Sequence, residues 1–310
     1  MLKKTFVIIV TYNAIPWLSE CLENTKPNEV VVVDNNSTDD TLNFIKANYP
    51  EITLLPQKEN IGFGQANNIG MSYALKQGAD YVFLLNQDAY LEKDTIKKLI
   101  EVHKKNENFG ILSPIHLNGK GDRLDQNFSN YVNYYANPDF YSDFVLKKTL
   151  PTVYEVPFVN AAGWLLSKKC LETVGGFDPV FFHYGEDDNY CQRVLFHGFK
   201  IGIVPQVFLK HDRETRIFKQ DLDGEKGAFS KQERALKLKY ANINKEDFNE
   251  VKILIKKSNK AAIKSFIKLR FKASKFYRKE AELLKKITPE IEKSRLLNKA
   301  KGPTYLDLKA

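Results

Sequence analysis

Apolar residues over the first 115 positions follow two alternating patterns. Short runs rich in β-branched residues, FVIIV (6–10), EVVVVD (29–34), ITLLP (52–56) and YVFLL (81–85), have the length and composition of strands. Longer stretches with helical spacing lie between them. Pro16 suits the first turn of a helix whose apolar face is Trp17, Leu18, Cys21 and Leu22. A second helix is expected to begin near Ser37 or Thr38, both good caps, and to carry Leu42, Phe44 and Ile45. A third runs from about Gly64 to Gln77 with Ala66, Ile69, Tyr73 and Ala74 inward. Strand and helix in alternation predict an α/β fold, a mostly parallel central sheet flanked by helices. The ligand crevice of such a sheet lies at the carboxyl ends of its strands.

The pattern then changes. Residues 116–150 are rich in Asn, Asp, Gly and Tyr without periodicity, which predicts a long, partly ordered loop or a small hairpin. Strand and helix patterns return over 156–210 and end in the strand FKIGIVP (199–205). From His211 to Gly227 the chain is polar with no period, as in a mobile linker, and from about Phe229 to Ala300 it is helical and Lys-rich, with Pro289 as an expected break. A division follows, with a catalytic domain over 1–218 and a basic helical extension over 219–310. A length of 310 residues suits that division.

Charge reinforces it. The formal net charge is +9, yet residues 219–310 hold 25 Lys and Arg against 12 Asp and Glu, leaving 22 against 26 for residues 1–218. The basic character belongs to the C-terminal third, and no nucleic-acid-binding motif accompanies it. Cys21, Cys170 and Cys191 lie far apart with no CxxC pair, so neither a disulfide framework nor a zinc finger is indicated, and a reducing cytoplasm fits. The opening MLKKTFVIIVTYN reads as a first strand, not a signal peptide. No apolar stretch approaches the roughly 18 residues of a membrane span, so membrane contact is expected to be peripheral.

The polar motifs fall where the crevice should be. VVVDNNSTDDT (31–41) puts Asp34 at the tip of the second strand, where a carboxylate can accept the imide N–H of uracil or thymine and the following Asn and Ser can close the pocket; the plain alternative is a helix cap and a turn. In ENIGFGQANNIG (59–70), Gly62 and Gly64 form a tight turn before a helix, open to close approach by a diphosphate or simply a turn. LLNQDAY (84–90) ends an apolar strand in Asn86, Gln87 and Asp88, and Asp88 can ligate a hard divalent cation carried by a diphosphate or serve as a turn residue. Glu186, Asp187 and Asp188 offer either a general base or charges favoured at a helix N-terminus. Phe177, Phe181, Phe182 and Tyr184 before them can floor a sugar site or pack in the core. His211 can complete a metal shell or touch a diphosphate.

Taken together over residues 5–215, VIIVTYN, VVVDNNSTDDT, NIGFGQANNIG, FLLNQDAY, FVNAAGWLLSKKCLETVGGFD and FFHYGEDDNYCQRVLFHG resemble the inverting glycosyltransferases of family 2 with the GT-A fold, and within them the rhamnosyltransferase-like branch. The resemblance implies that Thr11, Tyr12, Asn13, Asp34, Asn36, Asn60, Gly62, Asn67, Asn86 and Gln87 bind the nucleotide, with Asp34 reading the base. It implies Asp88 and His211 at a Mg²⁺ or Mn²⁺ ion, Asp187 as catalytic base beside Glu186 and Asp188, and Ala162, Gly163, Trp164 and Tyr184 at the acceptor or sugar. The donor would be dTDP-rhamnose or a UDP-linked sugar, and the acceptor a glycan or lipid-linked glycan of bacterial surface polysaccharide synthesis. Two departures stand out. Asn86 occupies the first acid of the DxD-like motif, and Asn189 stands where the family's Glu-Asp-x-Asp has its last acid, which leaves Asp187 and Asp188 both open as base. A silent nucleotide-sugar or glycan binder, and a sugar nucleotidyltransferase, are the rival readings; the latter would carry Gly and basic residues where this chain has TYNAIPW.

In the C-terminal third, Phe248, Val251, Ile255, Ile263, Phe266, Ile267, Phe271 and Phe276 recur at helical spacing among lysines. Such a basic amphipathic segment fits peripheral attachment to the anionic inner face of the cytoplasmic membrane, or a helical appendage, or a homodimer hairpin.

Overall fold

In the computed structural model, which describes residues 3–214 and 225–309, the four apolar runs are the strands β1 (Thr5–Thr11), β2 (Glu29–Asp34), β3 (Thr53–Pro56) and β4 (Tyr81–Asn86). The helices α1 (Ile15–Glu23), α2 (Thr41–Asn48) and α3 (Phe63–Lys76) connect them. Then follow β5 (Ala89–Leu91), α4 (Thr95–Lys105), β6 (Phe109–Asn118), α5 (Gln126–Tyr131), α6 (Pro138–Val145), β7 (Tyr154–Glu155), β8 (Gly163–Ser167), α7 (Lys168–Val174), α8 (Glu186–Phe196) and β9 (Lys200–His211). The sheet runs β3-β2-β1-β4-β8-β6-β9-β5, with β7 also on β9. Its β3-β2-β1-β4 half is parallel, whereas β8 and β5 are antiparallel to their neighbours. β1 reads as one apolar run because both faces of the sheet are covered: Phe6, Ile8 and Val10 enter one core cluster, Val7 and Ile9 the other.

Local hydrogen bonding shifts three sequence expectations. α2 starts at Thr41, not near Ser37 or Thr38, because Ser37 bonds to Asp34 and Thr38 to Asn13, while Asp39 Oδ1 accepts from the backbone and hydroxyl of Thr41. Residues 116–150 are more ordered than a loop. β6 extends to Asn118, Asp125 caps α5 by accepting from the Phe128 N–H, and Asn137 caps α6 with Pro138 in its first turn. Phe128, Val132 and Phe140 of this stretch are buried in the main core. The last strand of the sheet continues six residues past Pro205 to His211, after a register shift against β6 between Pro114 and Ile115.

The chain divides into two compact units, one of residues 1–217 with 301–310, the other of 218–300. The final ten residues therefore belong with the first unit. Gly302 N–H donates to Thr173 O, Gly176 N–H to Thr304 O, and Tyr305 lies over the guanidinium of buried Arg193. Most of the expected linker, residues 215–224, lies outside the described residues. The second unit contains α9 (Glu225–Ala241), α10 (Glu250–Ile267) and α11 (Phe271–Lys299). Pro289 does not break α11. A proline removes one backbone bond, but Leu284, Ile287 and Ile291 flank it and are buried, so packing holds the helix through the gap. No described helix is long and apolar enough to cross a membrane.

Candidate active site

Parallel register brings three strand ends to one level, since Thr11 pairs with Asp34 and Val10 with Asn86. The loops that leave these ends are tied to one another by side chains. Asp34 Oδ1 accepts from the hydroxyls of Thr11 (2.9 Å) and Ser37 (2.5 Å), and its Oδ2 from the Ser37 N–H (2.9 Å). Ser37 Oγ accepts from Asn13 N–H, and Asn13 Oδ1 from Thr38 N–H. Gln87 clasps Tyr12, accepting its N–H at 2.7 Å and donating to its carbonyl at 3.3 Å. Asn13 and Asn36 both adopt positive φ, a conformation asparagine tolerates better than most side chains.

These bonds redistribute the nucleotide-binding expectations. Asp34 and Thr11 are wholly buried, and Asp34 accepts three protein hydrogen bonds. Its carboxylate holds the pocket loops in place. Tyr12 is 46% exposed just past the end of β1 and Asn36 is exposed, while Asn13 and Gln87 are half-buried. Asn60 is exposed, and its Oδ1 accepts from Asn35 Nδ2 and Gly62 N–H. Gly62 and Gly64 are explained by protein packing. A Cβ at Gly62 (φ +85°) would lie 2.1 Å from Phe182 O, and one at Gly64 would lie 2.9 Å from Phe177 Cβ. The 177–182 segment thus packs closely against both glycines. Asn67 is buried within α3, its amide on Phe63 O.

The second group forms where β9 returns to the start of β5. His211 pairs with Ala89, and Asp212 N–H donates to Asp88 O at 2.8 Å. This sets His211 Nε2 3.4 Å from Asp88 Oδ1 and 3.4 Å from Asn86 Nδ2. On the other ring edge, His211 Nδ1 lies 3.9 Å from Asp125 Oδ2, which also takes Arg213 Nε at 2.9 Å. The side chains of Asp88, His211 and Asp125 are nearly completely buried. Among the described residues no group of three His, Cys, Asp or Glu side chains forms a self-sufficient metal cage. The donors present still fit a hard divalent cation. Asp88 and His211 are adjacent, and the buried Asn86 Oδ1 lacks a hydrogen-bond partner among the described residues, a further oxygen of the kind such a cation takes.

The third group opens α8. Gly185 takes the left-handed conformation and starts the helix, so Glu186, Asp187 and Asp188 occupy its first turn. Both sequence readings of the trio are compatible: the helix dipole favours the charges, and one acid can still act. Glu186 is buried, whereas Asp187 and Asp188 are half-buried. Burial pushes the Asp187 carboxyl above its ordinary value, opposed by the backbone N–H groups of Asp188 and Ala161 and by the positive charge of Arg213. Asp188 N–H donates to Asp187 Oδ1 at 2.9 Å. Through Ala161 this acid adjoins the 160–162 turn, whose Ala162 carbonyl accepts from Asn86 N–H. Asn189 is fully buried in the same turn.

The acceptor expectations divide. Ala162, Gly163 and Trp164 are buried, and Trp164 stacks on Phe177 and packs against Tyr190. A Cβ at Gly163 would lie 2.2 Å from Leu209 Cδ2. The side chains of Ala162 and Trp164 are core, as are Phe177 and Phe181. Phe182 and Tyr184 are exposed. The sequence reading missed Asp125, Tyr131 and Arg213. Tyr131 is half-buried, its hydroxyl pKa raised first by burial and then by the charges of Asp187, Asp188 and Asp125, with Arg213 opposing. His116, behind His211 at a ring separation of 6.2 Å, is held neutral well below the usual imidazole range, chiefly by burial and then by the charges of His211 and Arg213. The caps at Asp125 and Asn137 were readable signals of order in this stretch; the approach of Arg213 was not.

Comparison with known proteins follows the same lines. A family model described as Glycosyl transferase family 2 matches residues 6–175. The dTDP-rhamnosyl transferase RfbF of Shigella flexneri is 29% identical over 68% of this chain and 71% of its own length. The N-acetylglucosaminyl-diphospho-decaprenol L-rhamnosyltransferase of Mycobacterium tuberculosis is 23% identical over 67% of this chain and 75% of its own. Among solved structures, GalNAc-T7 with UDP, GalNAc and Mn²⁺ superposes with a TM-score of 0.52 at 17% identity, covering 68% of this chain and 44% of that one, a likeness of fold.

Proposed function

This chain belongs to glycosyl transferase family 2 and is a glycosyltransferase, and on that premise we propose that it transfers rhamnose from dTDP-rhamnose, with inversion, to a glycan or lipid-linked glycan of a bacterial surface polysaccharide. The observation that carries the reading is the convergence of Asp88, His211 and Asp187 on one end of the sheet, linked through Asp125, Arg213 and the 160–162 turn. The donor sugar follows from the relatives' names, and the lipid-linked acceptor from the second of them.

In the proposed reaction the base stacks on Tyr12, within loops held by Asp34 and Gln87. Asp187 accepts the proton of an acceptor hydroxyl as that oxygen bonds the anomeric carbon and the bond to the nucleotide diphosphate breaks on the opposite face. The raised pKa of Asp187 gives its carboxylate more affinity for that proton than an exposed aspartate has. Asp88 and His211, with Asn86 Oδ1 beside them, would hold a Mg²⁺ or Mn²⁺ ion that neutralises charge on the departing diphosphate when bound. Arg213 adds positive charge on the same side, and an anionic membrane surface is the expected setting for a lipid-linked acceptor.

The test is a thermal-shift screen of nucleotide sugars with Mn²⁺. dTDP-rhamnose should stabilise the fold by mass action, and Asp88→Ala should abolish the metal-dependent part. Stabilisation by a UDP-sugar and not by dTDP-rhamnose would overturn the donor assignment. Equal stabilisation with and without metal would overturn the role of Asp88.

A further inference from the structure

The second unit carries a surface that the transfer reaction does not use. Between Glu250 and Glu280, residues 251–279 contain eleven Lys and Arg and no Asp or Glu. α10 and α11 form a hairpin across this stretch, held by Ser274 Oγ donating to Ala262 O, and by Gln232 and Ser258 donating to Glu280. At its turn Ile263, Phe266, Ile267, Leu269 and Phe271 are each between 58% and 74% exposed. Phe266 and Phe271 pack edge to face at 5.7 Å, so the apolar tip has a defined shape. Ile263 and Ile267, with Lys260, Lys264 and Lys268, line a groove of about 250 Å³ along α10.

The turn itself is informative. Leu269 N–H donates to Phe266 O and Arg270 N–H to Ser265 O, which is the pattern of a helix terminated by a residue in the left-handed region. That residue is Leu269, with φ of 54°. Glycine or asparagine is favoured there on backbone grounds, and a polar side chain is favoured on grounds of exposure. An exposed leucine satisfies neither preference within the isolated chain. It does satisfy a partner that takes up apolar side chains.

We infer that the α10–α11 tip is a docking surface for an anionic phospholipid bilayer, with Phe266, Leu269 and Phe271 entering the acyl boundary and Lys264, Lys268, Arg270 and Lys272 meeting the lipid phosphates. Charge selects this occupant. A second copy would set eleven cations against eleven, and nucleic acid offers no apolar phase for the tip. The inference rests on the transferase reading for its purpose, which is to hold the site at the surface where a lipid-linked acceptor lies, and not for its evidence.

The experiment is co-sedimentation of the full chain with vesicles of phosphatidylcholine alone or with about one-third phosphatidylglycerol. Binding is expected only to the anionic vesicles and should weaken with salt. Phe266→Ser, Leu269→Ser and Phe271→Ser together should reduce it by at least about tenfold, with helix content unchanged by circular dichroism. Leu269→Gly supplies a second arm, since it should raise the melting temperature while weakening vesicle binding, a pairing that a purely structural leucine would not produce. Equal binding to neutral vesicles, or unchanged binding by the triple variant, would overturn the inference. So would loss of a dimer in the triple variant with vesicle binding intact. Nucleotide-sugar turnover without vesicles is read in parallel. Its absence would count against the transferase reading, and vesicle binding stands or falls separately.

Discussion

One side of the candidate site comes from adjacent parallel strands, whose register alone carries Thr11, Asp34 and Asn86 to one level. The opposite side draws on Asp125 before α5, the 160–162 turn, Asp187 at the start of α8, and His211 and Arg213 at the end of β9. On the first side loops lock one another by hydrogen bonds around a single buried carboxylate. On the second, Asp88, His211, Asp125 and Arg213 form a chain in which each touches the next within 4 Å. Position can be built from neighbouring strands, whereas charge chemistry of this density needs convergent segments.

Breaking the second side should therefore affect turnover most. Asp187→Asn is expected to lower the transfer rate by about 10²- to 10⁴-fold while leaving donor binding near normal, and Asp188→Asn to cost less than about tenfold. The reverse order in steady-state kinetics would move the base to Asp188. Asp125→Asn comes next. If Asp125 orients His211 and holds Arg213, its loss should weaken Mn²⁺ binding by roughly 10- to 100-fold, as measured by calorimetry in the presence of dTDP. Unchanged metal affinity would reduce Asp125 to the helix cap it also provides.

The first side should respond differently. Thr11→Val keeps the shape but removes a donor from Asp34, so it should cost about 1–3 kcal/mol of stability and raise the donor Kd with kcat retained at saturation. A lowered kcat with unchanged Kd would show that the two sides are not separable. The smallest effect concerns pH. Asp187 acts as a carboxylate, so activity falls as pH drops through its raised pKa, and the Arg213 charge restrains that rise. Arg213→Gln should move the acid limb of kcat/KM upward by less than about one pH unit, and Arg213→Lys by less still. A limb that stays fixed or moves downward would detach Arg213 from the base.

Period and composition were enough for β1 to β4, α1 and α3, because buried strands and amphipathic helices write their environment into local sequence. Ser37 and Thr38 show where that fails: both are good caps, but Ser37 bonds back to Asp34, and both meet Asn13, more than twenty residues earlier, a contact that no local pattern records. Trp164 shows another limit: local sequence does not record that its ring lies in the core, stacked on Phe177.

The sequence by itself determined which acids stand at strand ends and at the start of a helix, and how basic the last third is, because those properties depend on near neighbours. Only the tertiary structure decided that Asp34 is bonded by Thr11 and Ser37, that Gly62 makes room for Phe182, and that Asp125 and Arg213 join Asp88 and His211. The physical reason is separation along the chain. A hydrogen bond or charge contact between residues 88, 125 and 211 depends on the order in which the strands pair, and strand order is a property of the whole sheet.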